Sequence, residues 1–154
     1  MLPYNKHLLT RLFFILIALI AKQVLFAQTT TYNFDSSLQE ILQEKNDTAR
    51  LGRLTRMKTA NLTPKQKIKL NQAILPQALA LKVDSVALQA YLVTASSYMA
   101  LDDYTLSLKN YLSALAIAEK SNNYDKQAET YTYLAWLYTS NKTLADPDKA
   151  IEYI

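Results

Sequence analysis

The 154-residue chain contains no cysteine, one histidine and one glycine. Without cysteine it can form no disulfide, no thiolate nucleophile and no cysteine-ligated metal site. The single histidine, His7, lies near the N terminus, so the rest of the chain lacks imidazole, the commonest general base and transition-metal ligand. These absences argue against most hydrolytic and metal-dependent enzymes. We expect no catalytic residue, no cofactor and no metal.

The scarcity of glycine also bears on the fold. One glycine leaves little scope for the tight turns that join β-hairpins. Beyond about residue 33, apolar residues recur at the spacing of a helix over nearly the whole chain. The sequence therefore predicts an all-α protein.

Residues 1–27 have the pattern of a secretory signal peptide. A short basic start around Lys6 precedes the unbroken apolar run Leu12–Ala21. That run is about half the length of the roughly 20 residues that cross a bilayer, so a signal peptide cleaved after Ala27 is favoured over an uncleaved membrane anchor. A chain without cysteine is ordinary for an exported bacterial protein, and we expect a periplasmic location.

Net charge is misleading while the leader is counted. Seventeen Lys and Arg against thirteen Asp and Glu give +4. Residues 1–27 hold three of the bases and no acid, so without them the balance is 14 − 13 = +1. The charge therefore gives no reason to expect a nucleic-acid partner.

Helix boundaries can be read from capping residues. A polar spacer and a short helix are expected in residues 28–47, followed by a helix from Thr48 to Ala60. Pro76 is expected to kink or split the third helix. The predicted helix starts are Asp35, Thr63-Pro64, Asp84 or Ser85, Asp103, Asp125 and Asp146-Pro147.

The helical pattern repeats every 40 residues. The corresponding sets are Leu51, Tyr91 and Tyr131; Leu54, Thr94 and Leu134; Thr55, Ala95 and Ala135; and Lys58, Tyr98 and Tyr138. Helix pairs repeated at this period stack into an α-solenoid. We expect the repeats at about 48–84, 88–121 and 128–154, with the last one truncated.

The most regular unit, residues 88–121, resembles the tetratricopeptide (TPR) family, whose template is W-x2-L-G-x2-Y followed by A-x3-F. Tyr91, Ala95 and Tyr98 match the first part of the template, and Tyr111 and Ala114 fit the second at the family's spacing. The resemblance implies that small and aromatic residues pack the helices together. The expected packing residues are Leu51, Leu54, Tyr91, Ala95, Tyr98, Ser107, Tyr111, Ala114, Tyr131, Leu134, Ala135, Tyr138 and Ala150.

A TPR solenoid binds partners in a concave groove lined by the first helix of each pair. Carried over by position, the resemblance implies a groove formed by Arg53, Arg56, Gln89, Ser96, Met99, Glu129, Tyr133 and Trp136. Trp136 and Tyr133 are the expected anchors, because exposed aromatic residues are frequent binding hot spots. The alternative is that Trp136 packs against a further helix.

A basic stretch precedes an acidic half. Residues 48–82 hold eight Lys or Arg and no acid, and Arg50, Arg53 and Arg56 share one side of a helix. This stretch is either a site for an acidic partner or a solvated surface that offsets the acidic half. The carboxylate pair Asp102 and Asp103 is expected at a turn, where helix capping explains it.

The leader, N-D-T-A-R at residues 46–50 and D-P-D-K-A-I-E-Y at 146–153 together resemble the exported N-terminal repeat region of bacterial TPR sensor proteins of the histidine kinase type. The resemblance implies a non-enzymatic module that binds a protein or peptide and belongs to a larger signalling protein, tethered to the membrane only through a downstream segment. A free-standing periplasmic scaffold for envelope assembly is the alternative.

Overall fold

The structure is a computed structural model that describes residues 34–57, 59–140 and 144–153. The predicted signal peptide, residues 1–27, lies outside the described residues. The chain divides into two compact units, Met1–Glu40 and Ile41–Ile154. The part of the first unit that is described, residues 34–40, is helical.

The prediction of an all-α protein is confirmed, since the described residues form helices and no strand. The helices are α1 (residues 34–42), α2 (Asp47–Thr55), α3 (Pro64–Ala80), α4 (Asp84–Met99), α5 (Tyr104–Lys120), α6 (Tyr124–Ser140) and α7 (Pro147–Glu152). From α2 onward each helix packs on its neighbours in the chain, most extensively α4 on α3 and α5.

The helices follow one another in a constant register. Helices α3, α4, α5 and α6 begin at residues 64, 84, 104 and 124, which are 20 residues apart. One helix pair therefore spans 40 residues, the period seen in the sequence. Buried side chains recur at this period in the pairs Asn71 and Tyr111, Ile74 and Ala114, Ala78 and Ala118, Ala90 and Thr130, Thr94 and Leu134, Ala95 and Ala135, and Ser97 and Leu137. The packing is repeat-like as well as helical.

The turns between these helices explain how a chain with one glycine reverses direction. Lys82, Asp102 and Asn122, again 20 residues apart, adopt positive φ angles of 54°, 59° and 51°. In the first turn the Val83 N–H donates to the Ala78 carbonyl at 2.8 Å and the Lys82 N–H to the Leu79 carbonyl at 3.1 Å. This is the Schellman motif, and the same pair of bonds recurs after Asp102 and Asn122. Polar residues thus occupy left-handed positions that glycine usually fills.

Three of the predicted helix starts are confirmed by their caps. Thr63 and Gln66 form a reciprocal capping box ahead of Pro64. The side chains of Asp103 and Asp146 accept hydrogen bonds from Leu106 N–H at 3.0 Å and Lys149 N–H at 3.2 Å. Each cap satisfies a backbone donor that the first helical turn leaves without an intrahelical partner.

Other boundary predictions are wrong. Helix α2 ends at Thr55 rather than Ala60, and α3 continues through Pro76 instead of splitting there. Pro76 lies on the exposed side of α3, where water can reach the carbonyl that loses its hydrogen bond.

Helices α4 and α6 also begin differently from the prediction. Helix α4 starts after Val83 without a side-chain cap, so neither Asp84 nor Ser85 caps it. Asn123 rather than Asp125 caps α6, because its side-chain oxygen accepts from the Lys126 N–H at 3.1 Å.

Candidate functional site

An open groove of about 420 Å³ lies between helices α4 and α6. Its lining side chains are Ser96, Met99 and Ala100 from α4 and Thr132, Tyr133 and Trp136 from α6. None of these six carries a charge, so the groove presents an apolar surface with two hydroxyl groups from Ser96 and Thr132. We call it the α4–α6 groove. Its two walls are corresponding helices of successive 40-residue repeats.

Trp136 is the most prominent side chain in the groove. It is 44% exposed and is the only tryptophan of the chain. Its ring lies 6.4 Å from that of Tyr104, tilted by 45°, which supports the indole from one side. Trp136 is therefore held in place yet open to a partner. Within the described residues it does not pack into the interior as the alternative expected.

Tyr133 is fixed by a second aromatic contact. Its ring stacks on that of Tyr111 from α5, with centroids 5.0 Å apart and an angle of 14°. Tyr111 is only 1% exposed, and burial, followed by the nearby Tyr133 and Glu129, raises the pKa of its hydroxyl. The Tyr111 hydroxyl has no hydrogen-bond partner among the described residues. The stack fills the space beneath the α4–α6 groove and makes it shallow.

The structure brings four of the eight predicted groove residues together, namely Ser96, Met99, Tyr133 and Trp136. Sequence reasoning missed Ala100 and Thr132. A helical spacing of four residues links Ala100 to Ser96 and Thr132 to Trp136, and this spacing could have identified both.

The other four predicted groove residues lie elsewhere. Gln89 lines a different cavity, between α2, α3 and α4. Glu129 pairs with Lys126 on its own helix, with Oε2 and Nζ 2.6 Å apart. Among the described side chains, Arg53 and Arg56 of α2 line neither cavity, and Arg56 Nε donates to the Gly52 carbonyl at 2.8 Å.

The second cavity measures about 300 Å³. Helices α2, α3 and α4 and the loop residue Thr59 surround it, and we call it the α2–α4 cavity. Apolar side chains such as Leu54, Ile74 and Val93 form much of its wall, and polar groups such as Asn71 complete it. It occupies the position in the first repeat that the region beneath the α4–α6 groove occupies in the next.

The expected packing residues lie mostly inside. Ten of the thirteen are buried, and Tyr91, Tyr98 and Tyr131 are partly buried. The Tyr131 hydroxyl donates to Glu119 Oε1 at 3.1 Å, so its exposed edge has a partner on α5. Burial and this hydrogen bond raise the pKa of Tyr131.

The basic stretch contains one arginine with a clear structural role. Arg50 donates from Nε to Gln77 Oε1 at 2.9 Å and from NH1 to the Glu44 carbonyl at 2.7 Å, and it also pairs with Asp47. These contacts fasten α2 to α3. Arg50 is therefore not available to an acidic partner in the way that the sequence pattern allowed.

The Asp102 and Asp103 carboxylates are both occupied at the α4–α5 turn. Asp103 caps α5, and Asp102 Oδ1 accepts from the Tyr104 hydroxyl at 2.7 Å. That hydrogen bond is the main reason why the pKa of Tyr104 is raised. Capping and turn formation thus account for the pair, as expected from its place in the sequence.

Comparison with protein-family models, curated proteins and solved structures finds no match. In the described part of the chain, no cluster of three or more His, Cys, Asp or Glu side chains is arranged to hold a metal ion. None of the described helices combines the length and the apolar character of a membrane span.

Proposed function

We propose that this chain is a non-enzymatic, TPR-like α-solenoid module that binds a segment of a partner protein in the α4–α6 groove. The observation that carries the proposal is the exposed indole of Trp136 beside Met99 and Tyr133 in an uncharged groove. An aromatic anchor held by Tyr104 needs little ordering when a ligand arrives, so less free energy is lost on binding.

The lining favours an apolar segment. Met99 adapts its shape to different side chains, and Trp136 and Tyr133 offer large contact areas. The hydroxyls of Ser96 and Thr132 already donate to backbone carbonyls of their own helices, at 3.1 Å and 2.9 Å. We therefore expect a peptide with one or two aliphatic or aromatic anchors. We expect its affinity to depend little on salt, because no charged pair forms in the groove.

Selection from a random peptide library displayed on phage tests this proposal. The full chain is the bait, and Trp136→Ala is used in parallel. Peptides with an apolar anchor should be enriched on the wild-type chain, and they should bind Trp136→Ala at least about thirtyfold more weakly, as expected for a hot spot.

Leu112→Ala is the matched control, since Leu112 is an exposed apolar residue on α5 that does not line the groove. Its peptide affinity should equal that of the wild-type chain. Failure to enrich any peptide, or equal binding to Trp136→Ala, contradicts the proposal.

The setting that we propose is the exported sensory segment of a larger bacterial signalling protein. Its support is the signal-peptide pattern of residues 1–27 and the resemblance to TPR sensor proteins. Expression with the leader in a bacterial host, followed by mass spectrometry of the exported chain, tests the export step. A chain that begins at Gln28 agrees with it, and a chain that keeps residues 1–27 contradicts it.

A further inference from the structure

The α2–α4 cavity exists because two aromatic residues of the repeat are missing from it. Forty residues further on, Tyr111 and Tyr133 stack at 5.0 Å and fill the equivalent space. The corresponding residues here are Asn71 and Val93, and both line the cavity. Their smaller side chains leave about 300 Å³ open, a volume at the lower end of ligand pockets.

The short helix α2 contributes to the opening as well. Helix α4 continues to Met99, whereas α2 ends at Thr55, the position equivalent to Ala95. A loop containing Thr59 therefore borders the cavity where a longer helix would have covered it. The cavity is thus a built feature of the first repeat.

Asn71 gives the cavity a buried hydrogen-bond donor. Its side chain is only 6% exposed, and its Nδ2 has no hydrogen-bond partner among the described residues. A buried amide without a partner destabilises a fold, whereas an apolar residue of similar size would not. The position therefore suits a ligand that supplies an acceptor.

Lys67 adds a positive charge on the same side. It lies four residues before Asn71 on α3 and also lines the cavity, and residues at this spacing have Cβ atoms about 6 Å apart. No acid lies between residues 48 and 82, and the flanking Asp47 and Asp84 pair with Arg50 and with Lys120. An anionic acceptor is therefore favoured over a neutral one.

We propose that the α2–α4 cavity binds a small amphipathic carboxylate. Its carboxylate accepts hydrogen bonds from Asn71 Nδ2 and the Lys67 ammonium, and its apolar body lies against Leu54, Ile74 and Val93. This inference is independent of peptide binding in the α4–α6 groove.

Isothermal titration calorimetry on the full chain tests the inference with decanoate, decan-1-ol and N-acetyl-leucine. Decanoate or N-acetyl-leucine should bind, and the tighter of the two indicates whether the natural ligand is fatty-acid-like or derived from an amino acid. Decan-1-ol has the chain of decanoate without the charge and should bind at least about tenfold more weakly, as loss of a charged hydrogen bond predicts. If neither carboxylate binds, or if the alcohol binds equally well, the inference is wrong.

Variants separate a ligand site from a packing defect. Lys67→Met and Asn71→Leu should each weaken carboxylate binding about tenfold or more, while Lys65→Met, at an exposed position outside the cavity, should leave it unchanged. Asn71→Leu should also raise the melting temperature of the unliganded chain, because it removes an unpaired buried amide. Unchanged carboxylate affinity in both cavity variants overturns the inference.

A filled cavity provides a second test. The double variant Asn71→Tyr with Val93→Tyr introduces the aromatic pair of the next repeat, and circular dichroism checks that it folds. It should lose carboxylate binding while the peptide affinity of the α4–α6 groove stays the same. Carboxylate binding that survives in this folded variant places the ligand elsewhere and refutes the site.

Discussion

The left-handed residues at the helix turns should respond to glycine in an unusual direction. Lys82 holds a φ of 54° at the α3–α4 turn, a conformation that costs an L-amino acid about 1–2 kcal/mol. Glycine removes that cost but gives up about 0.5–1 kcal/mol more conformational entropy on folding. We therefore expect Lys82→Gly to stabilise the fold by about 0.5–1 kcal/mol. For a unit of this size the melting temperature should rise by roughly 2–5 °C.

The other turn residues grade the effect. Asn122 has a similar φ of 51°, but asparagine tolerates the left-handed region, so Asn122→Gly should change stability little. Ala116→Gly, at an exposed position inside α5, is the matched control and should destabilise by about 1 kcal/mol.

Urea unfolding followed by circular dichroism at neutral pH measures all three variants. A loss of stability in Lys82→Gly comparable to that in Ala116→Gly refutes the reasoning, because it means that Lys82 is not left-handed in the native turn.

Three further predictions concern the interior and the caps. Tyr111→Phe should raise the free energy of unfolding by about 1 kcal/mol, since it removes a buried hydroxyl that has no partner among the described residues. The variant should also lose less stability than the wild-type chain when the pH rises above 10: the folded pKa of Tyr111 is raised, so its neutral form contributes stability below pH 10 that is lost at higher pH. Leu134→Ala should cost about 2–5 kcal/mol, because Leu134 is fully buried. Thr63→Ala should cost about 1 kcal/mol through loss of the capping box, whereas Thr105→Ala, at an exposed position in α5, should be nearly neutral.

Urea unfolding of each variant checks these values, and the Tyr111→Phe comparison is repeated at pH 9 and pH 11. A destabilised Tyr111→Phe, a cost below about 1 kcal/mol for Leu134→Ala, or equal effects of the two threonine changes would contradict the packing and capping described here.

Much of the fold could be predicted because its signals are local. Caps such as Thr63, Asp103 and Asp146 mark helix starts within three or four residues of sequence, and the 40-residue period shows which positions correspond. Nothing local ends α2 at Thr55, since the following residues are compatible with a helix. Its end is a tertiary feature, which the period alone could not supply.

The candidate site was predictable only in part. The helical spacing correctly grouped Met99, Tyr133 and Trp136, because side chains on corresponding helices of successive repeats meet across one groove. It gave no hint that Asn71 lines a cavity, since burial without a partner depends on neighbours from other helices. Comparison of Asn71 with Tyr111 at the 40-residue period would have marked the missing ring.

The most direct test of the account is the fluorescence of Trp136, the sole tryptophan, when a peptide selected on the wild-type chain is added. Because the indole is 44% exposed without a partner, a peptide in the α4–α6 groove should shift its emission to shorter wavelength and protect it from acrylamide quenching. A saturable shift that follows the binding curve is the predicted result. Peptide binding that leaves the emission and the quenching of Trp136 unchanged would show that the groove is not the site.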